Sequence, residues 1–112
     1  MKTAIIFRWK RPNPGRESES MAFARESDEK FNEWQRSGRC GSHMWFGSMG
    51  NEEDPMFVLW GEALQLVQLS ASPEFQALFM TGVMLNEEFR FTFSVAGDTI
   101  DETWPAYAEA AG

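Results

Sequence analysis

Glu88-Phe89-Arg90-Phe91-Thr92-Phe93-Ser94-Val95-Ala96 decides how this chain folds. Strict alternation puts Phe89, Phe91, Phe93 and Val95 on one face of a strand and Arg90, Thr92 and Ser94 on the other. An aromatic row of this kind needs a cover, and two amphipathic helical stretches upstream can supply it. Three more strand-like runs precede it, over residues 3–10, 41–49 and 55–62. The order is therefore β-α-β-β-α-β. That order predicts an α+β fold, a split βαβ plait with a four-stranded antiparallel sheet and two helices on one face.

Outward from that strand, the first run reads TAIIFRWK, with Ile5, Phe7 and Trp9 on one side and Ala4, Ile6, Arg8 and Lys10 on the other. Pro12, Pro14 and Gly15 end it, since proline brings no ladder donor. A helix is expected from Glu17 or Ser18 to Ser37, with acidic residues in its first turn and Phe23, Ala24, Ser27, Phe31 and Trp34 as its buried stripe. Gly38 sits where a left-handed residue closes a helix. Residues 50–54 read as a polar hairpin tip. The second helical region is broken: residues 63–69 make two turns, then Ser72 caps a new helix with Pro73 at its first position. Its inward face is expected to be Phe75, Leu78, Phe79, Gly82 and Val83. Trp60 ends the third strand, where it could close a cavity mouth but is rather expected to pack beneath that region. The chain divides into a domain over residues 1–97 and a tail over 98–112, whose short helix from about residue 103 to 110 should bury Trp104 and Tyr107 on its own subunit or a partner.

The chain of 112 residues is long enough for one domain. Seventeen acidic against ten basic residues give a net charge of −7, which repels a phosphate backbone and argues against nucleic acid. No apolar run approaches the ~20 residues of a membrane span. The early interruption by Arg8, Lys10 and Arg11 makes residues 1–7 a strand rather than a signal peptide. The single cysteine, Cys40, excludes an internal disulfide and fits a reducing cytoplasm.

Catalytic and metal motifs are sparse. Cys40 and His43 are the only residues of their kinds, and alternation sets them on opposite faces of an extended strand. One His and one Cys fall short of a zinc set, so no metal is expected. The acidic tip Glu52-Glu53-Asp54 reads as a solvated turn. What remains is the sheet face turned away from the helices. The first and fourth strands of such a plait are neighbours, which brings Arg8 close to Arg90, with Thr92 and Ser94 alongside. Two arginines on a half-buried face attract an anion or carboxylate, or answer acidic residues of a second subunit. His43 joins this candidate ligand set, since either His43 and Trp45 or Met44 and Phe46 could line a cavity.

The segments Pro14-Gly15-Arg16-Glu17, Ser72-Pro73-Glu74-Phe75 and Tyr107-Ala108-Glu109, with the leucine-rich stretch 63–69, carry a resemblance over essentially the whole chain. The chain resembles the dimeric α/β-barrel superfamily of ferredoxin-like plaits, and most closely an uncharacterised bacterial family whose first helix is entered by Pro-Gly-Arg-Glu. The resemblance implies a homodimer packed sheet to sheet, with a pocket inside the barrel or between each sheet and its helices. It also implies that any enzyme here is a cofactor-independent monooxygenase or an isomerase. Haem-degrading members use an Asn, Trp and His set. This chain has no Asn on its first strand and no His on a helix, so no cofactor is expected. Two readings follow: a dimer that binds or transforms a small organic molecule on the sheet face, or a structural or regulatory dimer with a filled barrel.

Overall fold

The computed structural model describes residues 2–47, 54–95 and 99–112. Its elements are β1 (Lys2–Arg8), α1 (Glu17–Arg36), β2 (Ser42–Phe46), β3 (Met56–Glu62), α2 (Ala63–Ser70), α3 (Pro73–Leu85), β4 (Arg90–Val95) and α4 (Thr99–Ala111). The strands form one antiparallel sheet in the order β2-β3-β1-β4, the ferredoxin-like plait that the alternation predicts. The expected hairpin tip lies outside the described residues except for Asp54.

Local chemistry sets the helix ends. Ser72 accepts a hydrogen bond from the Phe75 amide at 3.2 Å, and Pro73 follows at the first helical position. Gly38 takes φ +79° just beyond α1, a conformation that costs a side-chain-bearing residue about 1 kcal/mol or more. Gly82 has a different duty. A methyl group there would stand 2.4 Å from the Phe89 ring, so α3 crosses β4 closely only because that position has no side chain.

The core lies between the sheet and α1, α2 and α3. Ile5, Phe7, Phe57 and Leu59 from the middle strands are fully buried against Phe31, Leu66 and Phe75. The Phe7 ring is the hub, 4.6 Å from Phe57 and 5.4 Å from Phe75 between centroids. Each such phenylalanine contributes about 2–3 kcal/mol through burial alone. The stripe Phe23, Ser27, Phe31 and Trp34 of α1 is buried as its spacing predicts.

Cross-strand register fixes which side chains share the other face. Its rows run Phe46, Met56, Arg8, Arg90; then Met44, Val58, Ile6, Thr92; then Ser42, Trp60, Ala4, Ser94. No helix of the described residues covers these rows with a buried stripe, and Met44 and Phe46 are exposed. Ala4 and Val58 are nonetheless buried there, under Ile6, Met56 and Trp60.

Several expectations are corrected. Trp60 packs in that second cluster on the open face and not beneath α2, because it is the partner of Ala4 and Ser42 in the register. Val83 is exposed, and Leu85 takes the last inward position of α3. Phe93 and Val95 do point to the helix side, yet both are largely exposed because β4 is an edge strand that overhangs the helices. The tail helix is longer than expected, and Trp104 is 58% exposed, not buried. The Tyr107 side chain lies outside what is described. No helix of the described residues is long and apolar enough to cross a membrane.

Candidate functional site

β1 and β4 pair so that Arg8 and Arg90 are direct partners, with Thr92 opposite Ile6 and Ser94 opposite Ala4. Four of the five residues singled out in the sequence therefore share one face. His43 does not join them. It pairs with Leu59 and so points to the helix side, where the sheet separates it from both arginines. The physical reason is that β2 is apolar on both faces, so alternation alone leaves its orientation open.

On the open face the two guanidinium groups differ. Arg90 forms an ion pair with Asp54 at 2.7 Å and also donates to the Glu88 carbonyl oxygen at 2.7 Å. The Arg90 hydrogen bond holds the Asp54 carboxyl below its ordinary range; desolvation opposes it, and the charges of Arg90, Lys10 and Arg8 each add a smaller pull downward. Arg8 is exposed and makes no hydrogen bond or ion pair among the described residues. Among the described residues of this row, two positive charges and one negative thus leave an excess positive charge. Beside it, Ala4, Thr92 and Ser94 are small. The opposite half of the face carries Met44, Phe46, Met56 and Trp60, all large and apolar. A cavity of ≈ 380 Å³ opens at the far end of the face, lined by Lys2, Ser42, Trp60, Glu62 and Gln65 among others.

Beneath the helices, among the described residues, the layer against the sheet is tightly packed. A void of ≈ 10 Å³ lies among Trp9, Phe23, Trp45, Phe57 and Phe89, room for about one water molecule. The polar groups at its edge satisfy each other, with Ser20 Oγ donating to Asn86 Oδ1 at 2.7 Å. The pocket between sheet and helices that the resemblance implies is therefore filled by this chain's own aromatics.

The lone histidine belongs to a small network on the edge of that layer. His43 Nδ1 is hydrogen-bonded to Gln35 Oε1 at 2.9 Å, and Nε2 lies 3.4 Å from Asp28 Oδ1. The same Asp28 oxygen accepts the Trp45 indole N–H at 2.9 Å. The Nδ1 contact and the nearby Asp28 carboxylate tie the imidazole, and with it β2, to α1. Asp28 and Gln35 were not singled out in the sequence, and Asp54, read there as part of a solvated acidic tip, is instead held by Arg90. For Asp28 and Gln35 a signal existed: each is the neighbour of a residue in the buried stripe of α1 and they stand seven apart, on one side of the helix. Among the described residues, no three His, Cys, Asp or Glu side chains cluster as a metal site would require.

No protein-family model matches the chain. No curated protein matches it either. Solved structures do. Rv0793 from Mycobacterium tuberculosis superposes with a TM-score of 0.68 at 17% identity, over 88% of this chain and 97% of that one. A conserved protein from Methanosarcina mazei Go1 gives 0.64 at 14%, over 87% and 95%. SnoaB, a cofactor-independent oxygenase from Streptomyces nogalater, gives 0.61 at 10%, over 87% and 94%. At these identities the likeness shows the fold, a ferredoxin-like plait.

Proposed function

We propose that two copies of this chain pack open sheet face to open sheet face, and that the barrel so formed holds a small organic molecule in the lane of Ala4, Thr92 and Ser94, with Arg8 drawing its anionic group. The observation that carries this reading is the division of the open face. Its bulkiest side chains, Met44, Phe46, Met56 and Trp60, lie on the β2–β3 half, and the small Ala4, Thr92 and Ser94 flank Ile6 on the β1–β4 half, next to the excess positive charge. Leaving Met44, Phe46 and the Met56–Trp60 cluster in water would expose several hundred Å² of apolar surface. At about 25 cal/mol per Å² their cover favours association by several kcal/mol. When two such faces meet, the large side chains make the contact and the small ones leave room.

The reading is of a binding protein first. SnoaB, of the same fold, is a cofactor-independent oxygenase, but a shared fold does not confer an activity. Here the open face offers hydroxyls and guanidinium groups, and the histidine that could have served as a base lies across the sheet, with Nδ1 bonded to Gln35. The helix entry Pro14-Gly15-Arg16-Glu17 supports kinship with the uncharacterised bacterial family named above.

Native mass spectrometry of the protein purified from its host tests the proposal. A dimer carrying excess mass that is lost in Arg8→Gln supports it. A dimer with no retained molecule at any gentle desolvation setting favours a barrel filled by its own side chains and overturns the binding claim. A monodisperse monomer at micromolar concentration overturns both.

A further inference from the structure

The tail helix α4 presents an exposed surface of its own. Every residue of α4 whose side chain is described is exposed: Asp101, Trp104, Pro105, Ala106, Ala108 and the residues from Glu109 to Ala111. The radius of gyration, 15.4 Å, exceeds the about 13 Å of a compact domain of this length. At helical spacing Trp104, Ala108 and Ala111 form an apolar stripe, and Asp101 and Glu109 lie along one flank of it. Over residues 99–111 there are three acidic residues and no Lys or Arg. The open sheet face is its complement: beside the lane it carries the apolar Ile6, Met44 and Val58, and it is bounded at one end by the Arg8–Arg90 row with its excess positive charge.

We propose that α4 of each copy crosses to the second copy in the dimer and lies over the Arg8 end of that copy's sheet face, its apolar stripe toward the lane and its acidic flank against Arg8. The inference rests on the face-to-face dimer proposed above. It adds to the charge balance, because the second copy supplies carboxylates to Arg8, which has no ion pair among the described residues of its own chain. It also closes one mouth of the barrel. A carboxylate of a bound molecule and those of α4 then compete for one guanidinium, so a ligand enters by displacing the strap. Charge complementarity favours a second copy over an unrelated protein, since both halves of the contact are present in this chain.

Charge exchange between two full-length variants tests the crossing. Arg8→Glu in one chain and the pair Asp101→Arg with Glu109→Arg in another each place like charges together in their own dimers. All three positions are exposed, so folding is not at issue. With the crossing, each variant alone dimerises at least about tenfold more weakly than the natural chain. Mixed in equal amounts, they form heterodimer well beyond the half expected from random pairing. In the heterodimer one strap sets its natural carboxylates against Arg8, and the other sets its introduced arginines against the introduced glutamate. Native mass spectrometry reads the proportions directly. If α4 folds back on its own chain, each variant keeps its internal repulsion in any mixture and no excess appears, which overturns the crossing. If all variants dimerise like the natural chain, α4 takes no part and the proposal also fails while the dimer stands. A natural chain that is monomeric throughout removes the dimer and the crossing together.

Discussion

Arg8 and Arg90 stand directly opposite each other where β1 and β4 pair, two like charges at a position where strand pairing ordinarily disfavours them. Asp54 is the answer the chain provides. It lies just before β3 and binds Arg90 at 2.7 Å. One carboxylate thereby relieves one of two guanidinium groups, and the other is left to the solvent, a second subunit or a ligand.

The Asp54 carboxyl, depressed by Arg90, gives a pH dependence with a definite sign. A carboxyl held below its ordinary value in the folded chain adds stability above the unfolded value, about pH 4, and that stability fades as the pH falls through the folded value. Both groups reach solvent, so the effect is small. A carboxyl-resolved NMR titration should show Asp54 below the other aspartates, and Arg90→Gln should return it to the ordinary range. An unchanged Asp54 titration in that variant would refute the pairing.

The Asp28 oxygen holds both the Trp45 indole and the His43 ring, so Asp28→Ala should loosen the β2 edge from α1. Loss of a hydrogen bond to a charged, half-exposed acceptor costs about 1–2 kcal/mol. Amide exchange of residues 42–46 should accelerate by about tenfold or more, with exchange in β1 nearly unchanged. Equal acceleration in both strands would mean that the network stabilises the whole fold and not the edge.

Ser27 is almost wholly buried in α1 and its hydroxyl has no hydrogen-bond partner among the described residues. Removing such a group relieves its desolvation cost, and alanine is the better helix former. Ser27→Ala should therefore raise stability by about 1 kcal/mol in denaturant unfolding. Destabilisation by the same substitution would show that the hydroxyl is satisfied after all.

How much of this was legible in the sequence depends on the period of the pattern. β4 alternates strictly, so its faces could be assigned residue by residue, and with them the placing of Arg90, Thr92 and Ser94. β1 gave Arg8 by the same argument. β2 carries His, Met, Trp and Phe in succession, apolar on both sides, so nothing local says that His43 faces α1. Trp60 was misplaced for a like reason: the register that sets it beside Ala4 and Ser42 is a long-range property. The pairing of Asp54 with Arg90 joins residues 36 apart and emerges only once β1 lies between β3 and β4. Trp104 was misjudged because an aromatic in a tail suggests burial, whereas here it is more than half exposed.

Gly82 tests the close crossing of α3 over β4. A methyl group placed there meets three atoms of the Phe89 ring between 2.4 and 2.7 Å, which helix backbone and a packed ring can only partly relieve. Gly82→Ala should cost about 1–3 kcal/mol although alanine favours helix formation in general. Gly82→Ala combined with Phe89→Leu should recover part of the loss. If the single substitution stabilises the protein, helix propensity outweighs the contact and the crossing is looser than described.

Cys40 gives a reporter at the other end of the pH scale. It is buried just before β2, and burial pushes its thiol up to about 11. A thiol raised in the folded chain binds its proton more tightly there than in the unfolded chain, whose thiol titrates near about 8.5. The stability it contributes is complete below about pH 8.5 and is lost as the pH rises toward about 11. Unfolding midpoints of the natural chain should thus fall more steeply over that window than those of Cys40→Ala, once the constant cost of the smaller side chain is subtracted. Thiolate reagents at about pH 8 should label the folded protein only as fast as it opens, and at the rate of a free cysteine in denaturant. Prompt labelling of the folded chain would show that Cys40 is accessible, and the difference in slope should then vanish with it.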